Sequence, residues 1–182
     1  NVKFKNYFFV CDVFCDTIFV LYMFCNSLML PHIDSCGSIL FLLNNSQINR
    51  IQLIQNRFMR TVVRRDSRAH IADMLNDLHW MSVRQRIFYN SLKLINKIAN
   101  GKSPNYLQEK LIKVRQIHNR NTRQIENFYI PLCNKESTKQ LLLVNGLKIY
   151  NNVVKEYENY RENSNVSMNK FILKFVKENY VN

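Results

Sequence analysis

The sequence predicts a mostly α fold, an irregular multi-helix bundle of about six to eight helices with at most one short extended segment. Three observations carry this. Among 182 residues there are only three Gly and three Pro, too few for a many-turned β architecture and suited to long helices with few breaks. Apolar residues recur at intervals of three and four along much of the chain, the spacing of one helix face. The composition is 47% hydrophobic and 21% charged, enough to bury a core and to exclude a chain that is disordered as a whole.

The first element is an apolar stretch over residues 7–30, with no Lys or Arg between Lys5 and Arg50. A membrane helix needs ~20 mostly apolar residues. Asp12 and Asp16 interrupt the run, and each would cost roughly 2.5–3.5 kcal/mol at the centre of a span. A helix buried against the rest of the protein, or against an upstream domain, is therefore favoured over an inserted one. Asp12 and Asp16, four apart, share a helix face. They read as a polar edge, not an acid–base or metal pair, because no third ligand has a suitable spacing. Pro31 is expected to stop or kink this helix, and residues 31–38 to form a break before the apolar run 39–43. His32 and Cys36 do not make a zinc site with Cys11, Cys15 or Cys25, since such sites use closely spaced cysteine pairs. With Cys133, the cysteines number five. The odd count argues against a disulfide framework and for reduced, buried thiols in an intracellular protein. The chain begins at Asn1 and reads as a fragment.

Asn44-Asn45-Ser46-Gln47 supplies an N-cap for a helix over residues 46–63. Ile48, Ile51, Ile54, Phe58 and Val62 form its apolar stripe. Arg50, Arg57, Arg60, Arg64 and Arg68 form a second stripe, with Gln52, Gln55 and Asn56 beside it. The only acid between Arg50 and Arg68 is Asp66, so no carboxylate sits one turn away to neutralise them. After a break at residues 66–70, a short helix over 71–78 precedes Trp80, read as a core anchor. Ser82 caps a longer helix to about Ala99. Its core side is Val83, Ile87, Ser91, Leu94 and Ile98, widened by Phe88, Leu92 and Ile95, and its outward basic side is Arg86, Asn90, Lys93 and Lys97. Gly101 closes that helix in a left-handed conformation. Pro104 opens a further helix over 105–114, and a polar loop follows at 118–122. Residues 127–133 alternate apolar and polar and predict the one extended piece. A helix over 136–157, broken near Asn145-Gly146, and a polar linker over 159–165 lead to a terminal helix striped by Met168, Phe171, Ile172, Phe175 and Val176. His70, His79 and His118 have no nucleophile or carboxylate at a triad spacing, and no phosphate loop, nucleophile elbow or metal-helix motif occurs.

The net charge is +13, and it is unevenly placed. Residues 50–123 carry sixteen Lys and Arg against four acids, whereas residues 1–49 and 124–182 are close to balanced. Such a surplus argues for a polyanionic partner, and arginine forks suit phosphate because they can bind it bidentately. The chain divides accordingly into an apolar segment 1–43, packed against an absent upstream domain, a basic nucleic-acid-binding region 44–123, and a helical region 124–182. The expected backbone contacts are Arg57, Arg60, Arg64, Arg65, Arg68, Arg86, Lys93 and Lys97, with Lys102, Arg120 and Arg123 secondary.

Several short motifs occur in a particular order. Leu30-Pro31-His32-Ile33-Asp34 is followed by Cys36-Gly37, then by Ile51-Gln52-Leu53-Ile54-Gln55-Asn56-Arg57 with Met59-Arg60. Leu75, Leu78, Trp80, Val83 and Arg86 come next, then Gly101, Pro104, Tyr106 and Leu107, then Thr122-Arg123, and finally Gly146 with Tyr150-Asn151. The series, over roughly residues 20–176, resembles the region downstream of the polymerase core in reverse transcriptases of jockey-like non-LTR retrotransposons. Ser35 departs from that pattern, where an aromatic residue is usual, and residues 150–154 lack the Leu-Pro that often follows. The resemblance implies a thumb and C-terminal helical region that grips a template–primer duplex beside missing palm and fingers domains, in the nucleus or a cytoplasmic ribonucleoprotein. The parent polymerase would use Mg, held by palm carboxylates. This chain contains no Asp-Asp pair and is expected to hold no cofactor and not to polymerise by itself. A membrane-associated protein, with residues 7–30 inserted and the basic segment against lipid, is the alternative.

Overall fold

The computed structural model describes residues 12–66, 68–118, 120, 124–161 and 166–180. It is mostly α. The helices are α1 (Asp12–Phe24), α2 (Leu30–Ser35), α3 (Gly37–Leu40), α4 (Asn45–Val63), α5 (Ile71–Leu78), α6 (Val83–Ala99), α7 (Asn105–Gln108), α8 (Glu136–Lys139), α9 (Leu147–Arg161) and α10 (Met168–Asn179). With the single-turn pieces α3, α7 and α8 set aside, the count falls within the expected six to eight. Among the described residues there is no strand, only one antiparallel bridge between Lys113 and Phe128.

The middle of the chain folds as its local signals dictate. Asn44 accepts from the Gln47 backbone N–H at 2.9 Å while Gln47 accepts from the Asn44 N–H, a reciprocal cap that starts α4. Ser82 and Gln85 repeat the device at α6. At the other end of α6, Gly101 has φ +67°. Its N–H donates to the Ile98 carbonyl, and the Lys102 N–H reaches back to Lys97, satisfying carbonyls that the helix end leaves free.

Helix α6 is the central rod. It packs against α2, α3 and α4 and against α9, α10 and the turn before α9. Three apolar clusters surround it or abut it. Leu92 and Ile95 join Leu147, Tyr150 and Val153 of α9 and Phe171, Ile172, Phe175 and Val176 of α10, the terminal stripe the sequence predicts. Val83 and Ile87 meet Phe41. Met59, Val62, Met74, Leu78 and Trp80 enclose Cys25 and Leu30. Trp80 is a core anchor as expected, 7% exposed and stacked on Tyr22 at 6.2 Å. Gly37 lets α3 approach α6 closely, because a Cβ there would lie 2.9 Å from Asn90 Cβ.

Four expectations are corrected. Pro31 does not end the first helix, and the expected break shrinks to Cys36. Residues Cys25–Met29 form one wide π-turn, in which the Leu30 N–H donates five residues back to Cys25. Pro31 then falls in the first turn of α2, where its missing N–H costs little. Helix α7 stops at Gln108 because the following chain pairs elsewhere. The Tyr129 N–H donates to Ile112 at 2.8 Å and the Val114 N–H to Asn127 at 3.0 Å, which holds Lys113 extended ahead of a 3-10 turn over Val114–Gln116. Cys36 is exposed, and only Cys25 of the described free thiols is buried. Lastly, α4 is rotated from its expected pose. Ile54 is 51% exposed, whereas Gln55 is fully buried. Residues 7–11, 119, 121–123 and 162–165 of the sequence expectations lie outside the described residues.

Candidate nucleic-acid interface

The rotation of α4 follows from what its amides can bond. The Gln52 Oε1 accepts from the Val83 N–H at 2.8 Å, satisfying a donor at the start of α6. Its Nε2 donates to Gln55 at 3.1 Å and to Asn56 at 2.9 Å, and the Gln55 Nε2 donates to the Met81 carbonyl at 2.9 Å. A buried polar group is stable only when bonded. Four bonds made by this one ladder keep Gln52, Gln55 and Asn56 inward. They are not part of a polar rim beside the arginines.

With that side inward, Arg50, Arg57 and Arg64 stand on the opposite, exposed side. Their seven-residue spacing returns nearly to the same line along the helix. Arg60 is half-buried, with its Nε shielded and unpartnered. Arg68 is exposed in the loop after α4. Among the described residues, no carboxylate pairs with Arg50, Arg57, Arg60 or Arg68. Arg64 takes the left-handed cap position at φ 51°. Arg65 turns aside and pairs with Asp77 of α5 at 2.7 Å, which removes it from the exposed row.

The basic side expected on α6 divides in two. Arg86 is not an outward contact. It binds both oxygens of Asp34, at 2.8 and 2.7 Å, and its side chain is only 12% exposed. Asn90 donates to the same carboxylate at 2.9 Å. This clasp, made by the Arg86 Nη1 alone while its Nε stays buried without a partner, fastens α2 to α6 and turns Arg86 inward. Further along, Lys93 and Lys97 are exposed and line a depression of about 270 Å³ with Asp34, Ser35 and Ser38. Lys93 lies over the Tyr89 ring at 5.8 Å. Lys102 and Arg120 are exposed in loops, and Arg123 lies outside the described residues.

Beside the Lys113–Phe128 bridge the cations are matched. Lys113 and Arg115 both reach Glu126, at 3.0 and 3.2 Å. The Lys113 hydrogen bond and charge, with Arg115 behind them, hold the Glu126 carboxyl below its ordinary range. Among the described residues, no group of three His, Cys, Asp or Glu side chains could hold a metal ion.

Asp34 and the Gln52–Gln55–Asn56 ladder are the residues whose roles sequence reasoning misses. The ladder has a signal, since its spacing of three and four puts all three amides on one side of a helix. Asp34 has none, because its partners lie 52 and 56 residues away. No protein family, curated protein or solved structure matches this chain.

Proposed function

We propose that this chain binds nucleic-acid backbone without reading sequence, as the part of a retroelement reverse transcriptase that lies downstream of the palm. The carrying observation is the row of arginines on α4 and its following loop, Arg50, Arg57, Arg60 and Arg68, that has no carboxylate partner among the described residues. Lys93, Lys97, Lys102 and Arg120 are further exposed cations away from that row, and Arg86 and Arg65 drop out of the proposed contacts as paired. The ordered motif series supports the parentage. Phosphate contacts of this kind position a duplex and carry no base information.

The test replaces Arg50, Arg57, Arg60 and Arg68 by Gln and follows anisotropy of labelled duplexes of unrelated sequence. Affinity should fall about equally for every sequence, and the salt dependence should flatten by roughly 0.9 log units for each duplex phosphate the variant no longer neutralises. Unchanged affinity and slope overturn the proposal.

One observation favours the membrane alternative. Residues 17–35 form a helical stretch of 19 residues, long and apolar enough to cross a membrane, of which only 17% is buried. Carbonate extraction separates the two readings, since an inserted chain stays with the lipid.

A further inference from the structure

A cleft of about 650 Å³ opens between α4, α5, the start of α6 and the end of α10, within the range of small-molecule sites. Its apolar wall is Ile71, Ala72, Leu75 and Trp80, and its polar groups come from Asn49, His70, Asn76, His79, Gln85 and Lys177, with Gln52 also at the wall but already bonded within the ladder. Among the described residues, no carboxylate lines it and Lys177 is its one permanent cation.

Asn49, His70, Asn76 and His79 are exposed, so their polar atoms are open to water and to a ligand alike. Among the described residues, the side chains of Asn49, Asn76, His70 and His79 have no hydrogen-bond partner. Gln85 spends its Oε1 on the Ser82 N–H and leaves its Nε2 unused. Each free carboxamide offers a donor and an acceptor side by side. An apolar ligand would bury these groups unpaired, at a cost. Inorganic phosphate offers chiefly acceptors and would leave the carboxamide oxygens unmatched. A nucleobase edge offers donors and acceptors together on a flat ring, and the phosphate attached to it is the counterpart of Lys177.

We infer that this cleft takes one nucleotide unit, with the base among Asn49, Asn76 and Gln85 against the Trp80 wall and the phosphate at Lys177. The inference rests on the nucleic-acid reading and deepens it by naming a nucleotide unit as the ligand of a cleft separate from the arginine row.

Trp80 is the only tryptophan, so its fluorescence reports on the cleft directly. The full chain is titrated with adenosine and uridine monophosphates, and with ribose 5-phosphate and inorganic phosphate as controls. A saturable change is expected with the nucleotides and not with the controls. Replacing Asn49 and Asn76 together by Leu, at two exposed positions, should weaken nucleotide binding about tenfold through the loss of two hydrogen bonds, with helix content unchanged. No saturable change, an equal response to ribose 5-phosphate, or undiminished binding in the double variant overturns the inference. The arginine variant described above should bind nucleotide as the parent chain does. Duplex binding without nucleotide binding takes down the cleft alone. Nucleotide binding without duplex binding supports the cleft and takes down the arginine row.

Discussion

Gln52→Leu should be among the most damaging single changes on α4, although it replaces a polar residue with an apolar one. Gln52 takes part in three hydrogen bonds, at 2.8, 3.1 and 2.9 Å. Each contributes about 0.5–1.5 kcal/mol net, and partners left buried and unsatisfied cost more. Gln55 and Asn56 are 0% and 3% exposed, so water cannot readily replace what they lose. The expected loss is about 3 kcal/mol, a fall of roughly 1.5 M in the urea midpoint for a chain of this size. The companion variant is Ile54→Gln, at a position 51% exposed. It should change stability by less than about 0.5 kcal/mol. Apolar periodicity alone demands the opposite order, with Ile54 in the core and Gln52 at the surface. Urea unfolding followed by helix circular dichroism and by Trp80 emission measures both. If Gln52→Leu is neutral, or Ile54→Gln is the worse of the two, the inward polar ladder is refuted.

Asp34→Ala strips Arg86 and Asn90 of their shared acceptor. Because Asp34 is 40% exposed and water partly compensates, the expected cost is about 2–3 kcal/mol by thermal unfolding. A double-mutant cycle with Arg86→Met should show a coupling above about 1 kcal/mol, and additivity would argue against the clasp. Gly37→Ala should destabilise by about 1–3 kcal/mol through overpacking against Asn90, measured in the same way, while Ser38→Ala beside it should be nearly silent. Burial pushes the Tyr150 phenol up to about 12, and its hydroxyl donates to Asn96 at 2.9 Å. A raised folded value means this contribution is intact below about pH 10 and is lost as the pH climbs from 10 toward 12. Tyrosinate absorbance should show, besides Tyr180, whose phenol burial also raises, a late-titrating group that is missing from Tyr150→Phe, and a titration identical in the two chains would contradict it.

Much of the fold was legible in the sequence where its cause is local. The caps at Asn44 and Ser82, the close at Gly101, the bounds of α5 and α6 and the stripe on α10 each depend on residues within a turn or two. Readings failed where a distant partner decides. Gln52 points inward because Val83 and Met81 need it, Arg86 is taken by Asp34, and α7 is cut short by pairing with residues 127–129. Pro31 misled for a different reason, since a π-turn leaves no periodic trace in composition. Of the basic positions, those with no distant acid waiting for them, such as Arg50, Arg57 and Arg68, ended on the surface. The cleft beside Trp80 was invisible because four separate elements build it.

The wide turn at Cys25–Met29 also acts as a phase setter. Successive helical residues are offset by about 100°, so one residue more or fewer there would swing everything upstream by that angle. Downstream, Leu30 in the core and Asp34 on Arg86 anchor the phase. Which side chains α1 turns outward, Phe19, Val20, Met23 and Phe24 at present, thus depends on a count of peptide units. A chain shortened by one residue there would keep its hydropathy almost unchanged and show its surroundings a different surface.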